Sequence, residues 1–141
     1  MEQIERLTKA QKRAKRAERE SANDSGLKLA NITPMTNNQQ DFFNNYDRFD
    51  VLVLDGCPGT GKSLLSMYKA LQSLDDDFRC VKVIRSSVTV RDIGFLPGNA
   101  KEKMAAFETP YAEICSELYG RGDAYEILKQ KKLVEFHPTT H

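Results

Sequence analysis

No run of about 18 consecutive apolar residues occurs in this 141-residue chain, so no membrane-spanning helix is expected. The first twenty residues carry seven Lys/Arg and four Asp/Glu with no apolar stretch among them, so no secretory signal is expected either. Cysteine is scarce: Cys57, Cys80 and Cys115 are odd in number and far apart. That excludes a simple disulfide scaffold and a C-x-x-C zinc ribbon, and it fits a reducing cytoplasm. Net charge is nearly absent, at +1, so no global basic field points to nucleic acid. With 40% hydrophobic and 29% charged residues, the chain can fill one core and is too short for two.

The small net charge hides a difference between segments. Residues 1–20 are net basic, and Ile4, Leu7, Ala10, Ala14 and Ala17 form a narrow apolar stripe at helical spacing. This predicts a charged helical arm, either solvated or in contact with a partner. Residues 21–38, rich in Ser, Asn, Gly, Thr and Pro, read as a linker. Gln39 to Tyr46 could carry Phe42, Phe43 and Tyr46 on one side of a short helix. Val51-Leu52-Val53-Leu54, bounded by Asp50 and Asp55, reads as a strand buried on both faces of a parallel sheet. A helix over Lys62 to Ser73 and a strand over Cys80 to Ile84 complete a βαβ unit. Residues 99–119 read as helix interrupted by Pro110, Asp123 to Gln130 as a shorter helix, and Leu133 to Phe136 as a third strand.

Gly56-Cys57-Pro58-Gly59-Thr60-Gly61-Lys62-Ser63 fits G-x-x-x-x-G-K-[ST]. Glycines let the backbone turn and approach a phosphate without Cβ clashes. Successive N–H groups then form an anion nest, to which the following helix adds its positive end. Lys62 supplies charge for the β- and γ-phosphates, and the Ser63 hydroxyl is suited to ligate Mg²⁺. An apolar run before the motif and an apolar helix after it are the context the motif requires. A nucleotide polyphosphate with Mg²⁺ is therefore the expected ligand.

Other motifs are missing. Neither N/T-K-x-D nor a D-x-x-G switch is present, which disfavours guanine. Gln39 or Gln40, about 17 residues before the loop, could pair with adenine N6 and N7, the alternative being a surface amide. Hydrolysis requires a second acid at the end of another strand, the Walker B acid, and no later strand here ends in Asp-Glu. The expectation is an N-terminal portion of a larger ATPase domain, with its catalytic residues unassigned.

Beyond the loop, the chain resembles the PhoH-like proteins, in particular the short versions common in bacteriophages. The matching residues are Gln39-Gln40, Gly56–Ser63, Ile84-Arg85-Ser86-Ser87-Val88, Arg91-Asp92-Ile93-Gly94-Phe95-Leu96-Pro97-Gly98, Lys101-Glu102-Lys103 and Pro110-Tyr111. The resemblance covers about residues 33–141. It implies the helicase-like (RecA-like) P-loop NTPase fold, a parallel sheet flanked by helices, with residues 39–141 its N-terminal part. It also implies ATP and Mg²⁺, an Asp-Glu pair shortly after the last strand here, links to RNA processing, and host cytoplasm for a phage-encoded chain. RNA or single-stranded nucleic acid is a candidate partner, and so is a second copy of the chain supplying an arginine.

Arg85 and Arg91 each either meet phosphates or a nucleic-acid backbone or pair with a nearby acid, for which Asp92 is the local choice beside Arg91. Pro138 between His137 and His141 argues against a metal pair. Two alternatives to an ATPase stay open. A P-loop kinase would need clustered lid arginines, of which residues 86–141 offer Arg91 and Arg121. A nucleic-acid-binding or assembly module with a vestigial nucleotide site would hold RNA regardless of ATP.

Overall fold

The computed structural model describes residues 26–74, 78–86 and 100–139, with Ala10, Arg13 and Ala14 of the arm, which are helical and exposed. The rest of the arm and the Arg91–Gly98 motif lie outside the described residues. The elements are α1 (Asn37–Asn45), α2 (Lys62–Ser73), β1 (Val81–Arg85), α3 (Ala100–Tyr119), α4 (Ala124–Gln130) and β2 (Val134–Pro138). β1 and β2 form a two-stranded parallel sheet, with Val81 opposite Val134 and Arg85 opposite Pro138. Helices flank it, giving an α/β architecture.

Each helix has a local cause. Thr36 caps α1: its backbone is extended and its hydroxyl accepts from the Gln39 amide at 3.2 Å. α2 has the bounds its pattern predicts, and buries Leu65, Met67, Tyr68 and Leu71 on one side. α3 runs through Pro110 rather than breaking there. Pro110 is exposed, so the carbonyl it leaves without a donor can face solvent. α4 closes in a Schellman motif, with Leu133 N–H on Leu128 O at 2.9 Å and Lys132 N–H on Lys129 O at 2.9 Å. Lys132 takes the left-handed conformation at φ 56°, a place usually given to glycine.

The core joins Met67, Tyr68 and Leu71 of α2, Cys115 and Leu118 of α3, Ala124, Tyr125 and Leu128 of α4, and Val83 and Val134 of the sheet. Beside it, Glu108 of α3 accepts from the Tyr125 hydroxyl and from Lys129 Nζ, both at 2.8 Å. Burial, and then this bond to Glu108, hold the Tyr125 hydroxyl well above the usual phenol range. At the α3–α4 joint, Arg121 grips Asp123 through both carboxylate oxygens at 3.0 and 2.8 Å.

Residues 26–35 fall in the segment read as a linker, yet they pack. Leu27, Leu29 and Ile32 lie against the core, and Ala30 N–H donates to Leu118 O at 2.8 Å. The Tyr68 hydroxyl reaches Asn31 Oδ1 at 3.5 Å.

One strand expectation is corrected. Val51–Leu54 pairs with no strand among the described residues, and Val51 and Val53 are 79% and 86% exposed. β-structure requires a neighbour to complete its hydrogen bonds. β1 and β2 pair with each other, and among the described residues no strand lies beside the apolar run before the loop. The βαβ unit expected over residues 51–84 is thus not formed, and the parallel pair is joined instead through α3 and α4. Leu52 and Leu54, with Phe42, Tyr46, Phe49 and Phe78, line an open cleft of about 1000 Å³.

Candidate phosphate-binding site

Residues 56–61 form the turn between the Val51–Asp55 run and α2. Gly59 and Gly61 hold φ of 78° and 86°, which a side chain strains to adopt. Gly61 is also the N-cap of α2 and supplies no side-chain cap, which leaves the helix N–H groups uncapped from that side. Gly61→Ala should therefore lower stability by about 1–2 kcal/mol, the cost of a left-handed L-residue, measured by urea unfolding. A neutral effect would mean that the turn is not held in this form.

The loop is held together from within. Asp55 Oδ1 accepts from Gly56 N–H at 2.9 Å, and the Thr60 hydroxyl donates to Cys57 O at 2.9 Å. The Lys62 ammonium donates to Gly56 O at 2.9 Å and Cys57 O at 2.6 Å, with Thr60 Oγ1 at 3.3 Å. These partners are all exposed, so phosphate oxygens can compete for the ammonium at low desolvation cost. Ser63 is exposed in the first turn of α2. An uncapped helix start, an ammonium and an adjacent hydroxyl on one open turn fit a Mg²⁺-bound polyphosphate.

The other residues singled out in the sequence fall into separate places. Gln39 Oε1 accepts from Met35 N–H at 2.7 Å, while its Nε2 donates to Thr60 O at 3.2 Å. Gln40 instead bonds Asn44 Oδ1 at 3.0 Å, along the surface of α1. Arg85 ends β1 with its guanidinium 5.5 Å from the Phe107 ring centre, a cation–π contact. Arg91 lies outside the described residues. His137 bonds Glu135 at 3.0 Å, which is the main cause that holds the Glu135 carboxyl below its usual range. No His/Cys/Asp/Glu group able to hold a metal occurs among the described residues. Among them, too, no helix is long and apolar enough to cross a membrane.

Sequence reasoning missed the tie from Gln39 to the loop, which spans 21 positions and leaves no local signal. Thr36-Asn37-Asn38-Gln39, a T-x-x-Q pattern, marks only the start of α1.

The three thiols differ sharply. Cys57 is exposed in the loop, Cys80 is half-buried, and burial removes Cys115 from solvent and pushes its pKa up to about 11. A maleimide should label Cys57 first, and Mg-ATP binding should fall with the labelled fraction. Cys57→Ser should bind as before and resist the reagent. Undiminished binding by stoichiometrically labelled protein would contradict a nucleotide seated on this turn.

Residues 31–141 match the family model described as PhoH-like protein. A curated PhoH-like protein of Bacillus subtilis (strain 168) is 28% identical over 112 residues, spanning 78% of this chain. The chain covers 35% of that relative's length. No solved structure matches it.

Proposed function

We propose, from the premise that the chain belongs to the PhoH-like protein family, that residues 56–63 bind the polyphosphate of ATP with Mg²⁺. The observation that carries this reading is the turn itself: left-handed Gly59 and Gly61, the uncapped start of α2, and the Lys62 ammonium resting on exposed carbonyls. Backbone N–H groups and Lys62 would hold the phosphates, and the Ser63 hydroxyl would reach the metal. Bound Mg²⁺ would draw charge from the β- and γ-phosphates.

Adenine is the proposed base. The Gln39 carboxamide uses one N–H and one lone pair in the structure, and keeps one of each. That is the complement adenine N7 and N6 require. The finer fold proposed is a helicase-like P-loop NTPase sheet, to which this chain contributes the phosphate-loop side.

In the full-length protein the proposed reaction is Mg-dependent ATP hydrolysis coupled to RNA or single-stranded nucleic acid. Arg85 and Arg91 are the proposed nucleic-acid or phosphate contacts. Calorimetric titration with Mg-ATP tests the binding step, and Lys62→Ala is the comparator. Salt-titrated RNA binding with and without ATP tests the coupling. Retention of RNA indifferent to both ATP and Lys62→Ala would favour a vestigial site instead.

A further inference from the structure

We infer that Gln39 is a positioning residue, one that fixes the phosphate loop through the Thr60 carbonyl. The inference rests on the phosphate-binding reading above and adds a part outside the motif.

Gln39 stands at the third position of α1, after the Thr36 cap. A glutamine there can serve the helix alone, since a capping box needs only its side-chain oxygen. Here the oxygen serves the helix start one residue further back: Oε1 accepts from the N–H of Met35, the residue before the cap, at 2.7 Å. This bond fixes the rotation of the amide and leaves Nε2 aimed away from α1. Nε2 meets Thr60 O at 3.2 Å, 21 positions along the chain.

The Thr60–Gly61 peptide is the last joint before α2, and Gly61 holds its left-handed turn there. A donor on Thr60 O sets how that peptide plane faces. The plane in turn directs the Gly61 N–H and the start of α2. Even a Cβ at Gly61 would come within 3.7 Å of Gln39 Nε2, so the amide lies directly over this joint. Glutamate could keep the capping bond, but it has no N–H to give Thr60. The loop tie is therefore what distinguishes glutamine from glutamate at this position.

Gln39→Glu and Gln39→Ala in the full-length protein test this, with tripolyphosphate, ATP and GTP as probes in the presence of Mg²⁺. Positioning predicts that Gln39→Ala weakens all three, tripolyphosphate included, by about 5-fold, one neutral hydrogen bond's worth. Gln39→Glu should weaken them further while leaving the thermal midpoint unchanged, because the cap survives. A loss confined to ATP would assign Gln39 to base reading alone and overturn the inference; so would no loss at all.

A second measurement needs no ligand. In ¹⁵N–¹H spectra, Gln39→Glu should shift the Gly61 amide, whose peptide bond contains the Thr60 carbonyl. Shifts confined to α1 would overturn the inference. Failure of the wild-type protein to bind tripolyphosphate would count against the phosphate site, and this spectrum would still decide the role of Gln39.

Discussion

Lys62→Ala should lower the Mg-ATP affinity of the full-length protein by about 100-fold. A charge-assisted hydrogen bond contributes roughly 1.5–3 kcal/mol, and each 1.4 kcal/mol is a factor of ten. Among the described residues the ammonium meets only loop acceptors, Gly56 O, Cys57 O and Thr60 Oγ1, and no core residue leans on its charge. The variant should therefore unfold at the wild-type temperature, which separates lost binding from lost structure. Calorimetry would read the affinity and a melting curve the stability. Wild-type affinity in Lys62→Ala would remove the phosphate site from residues 56–63.

The largest effect on stability is expected from Leu118→Ala, at about 3 kcal/mol. Leu118 is fully buried, and it packs where α2, α3 and α4 converge. Truncation removes the transfer energy of its side chain and leaves a hole that rigid neighbours fill only in part. Against a typical domain stability of about 5–15 kcal/mol, that is a large fraction. The Leu118 carbonyl also receives Ala30 N–H, so shifting the end of α3 should loosen residues 26–35 as well. Urea unfolding would measure the loss, and faster hydrogen exchange at Ala30 would report the loosening. A loss under about 1 kcal/mol would mean that the end of α3 is not packed as described.

What the sequence made legible follows from how local each cause is. α2 was read with its true bounds because both its signals are local: the glycine turn that starts it, and apolar residues at helical spacing. The two laddered strands fell within one or two residues of their expected places for the same reason. Val51–Leu54 failed because a ladder depends on a neighbour, and no local pattern reports whether the neighbour is there. Residues 26–35 looked like linker by composition, although Leu27 and Leu29 already alternate with Lys28 and Ala30 as a half-buried segment does.

The glycine turn ahead of α2 was legible from eight residues. The orientation of Gln39 was not, because it depends on a contact across 21 positions. The family resemblance was read chiefly from Arg91–Gly98. That stretch lies within the matched span, though outside the described residues.

The parallel register of β1 and β2 bears on how the chain reaches this structure. Val81 and Val134 meet across a separation of 53 positions, a costly closure for a flexible chain. Contacts between α3 and α4, formed first, would lower that cost. α3 and α4 are neighbours in sequence, joined at the Arg121–Asp123 pair and bound by Glu108 to Tyr125 and Lys129. Local contacts of this kind form fastest. The helical hairpin is therefore expected to assemble ahead of the sheet and to bring β2 to β1, so the parallel ladder should be the last element gained.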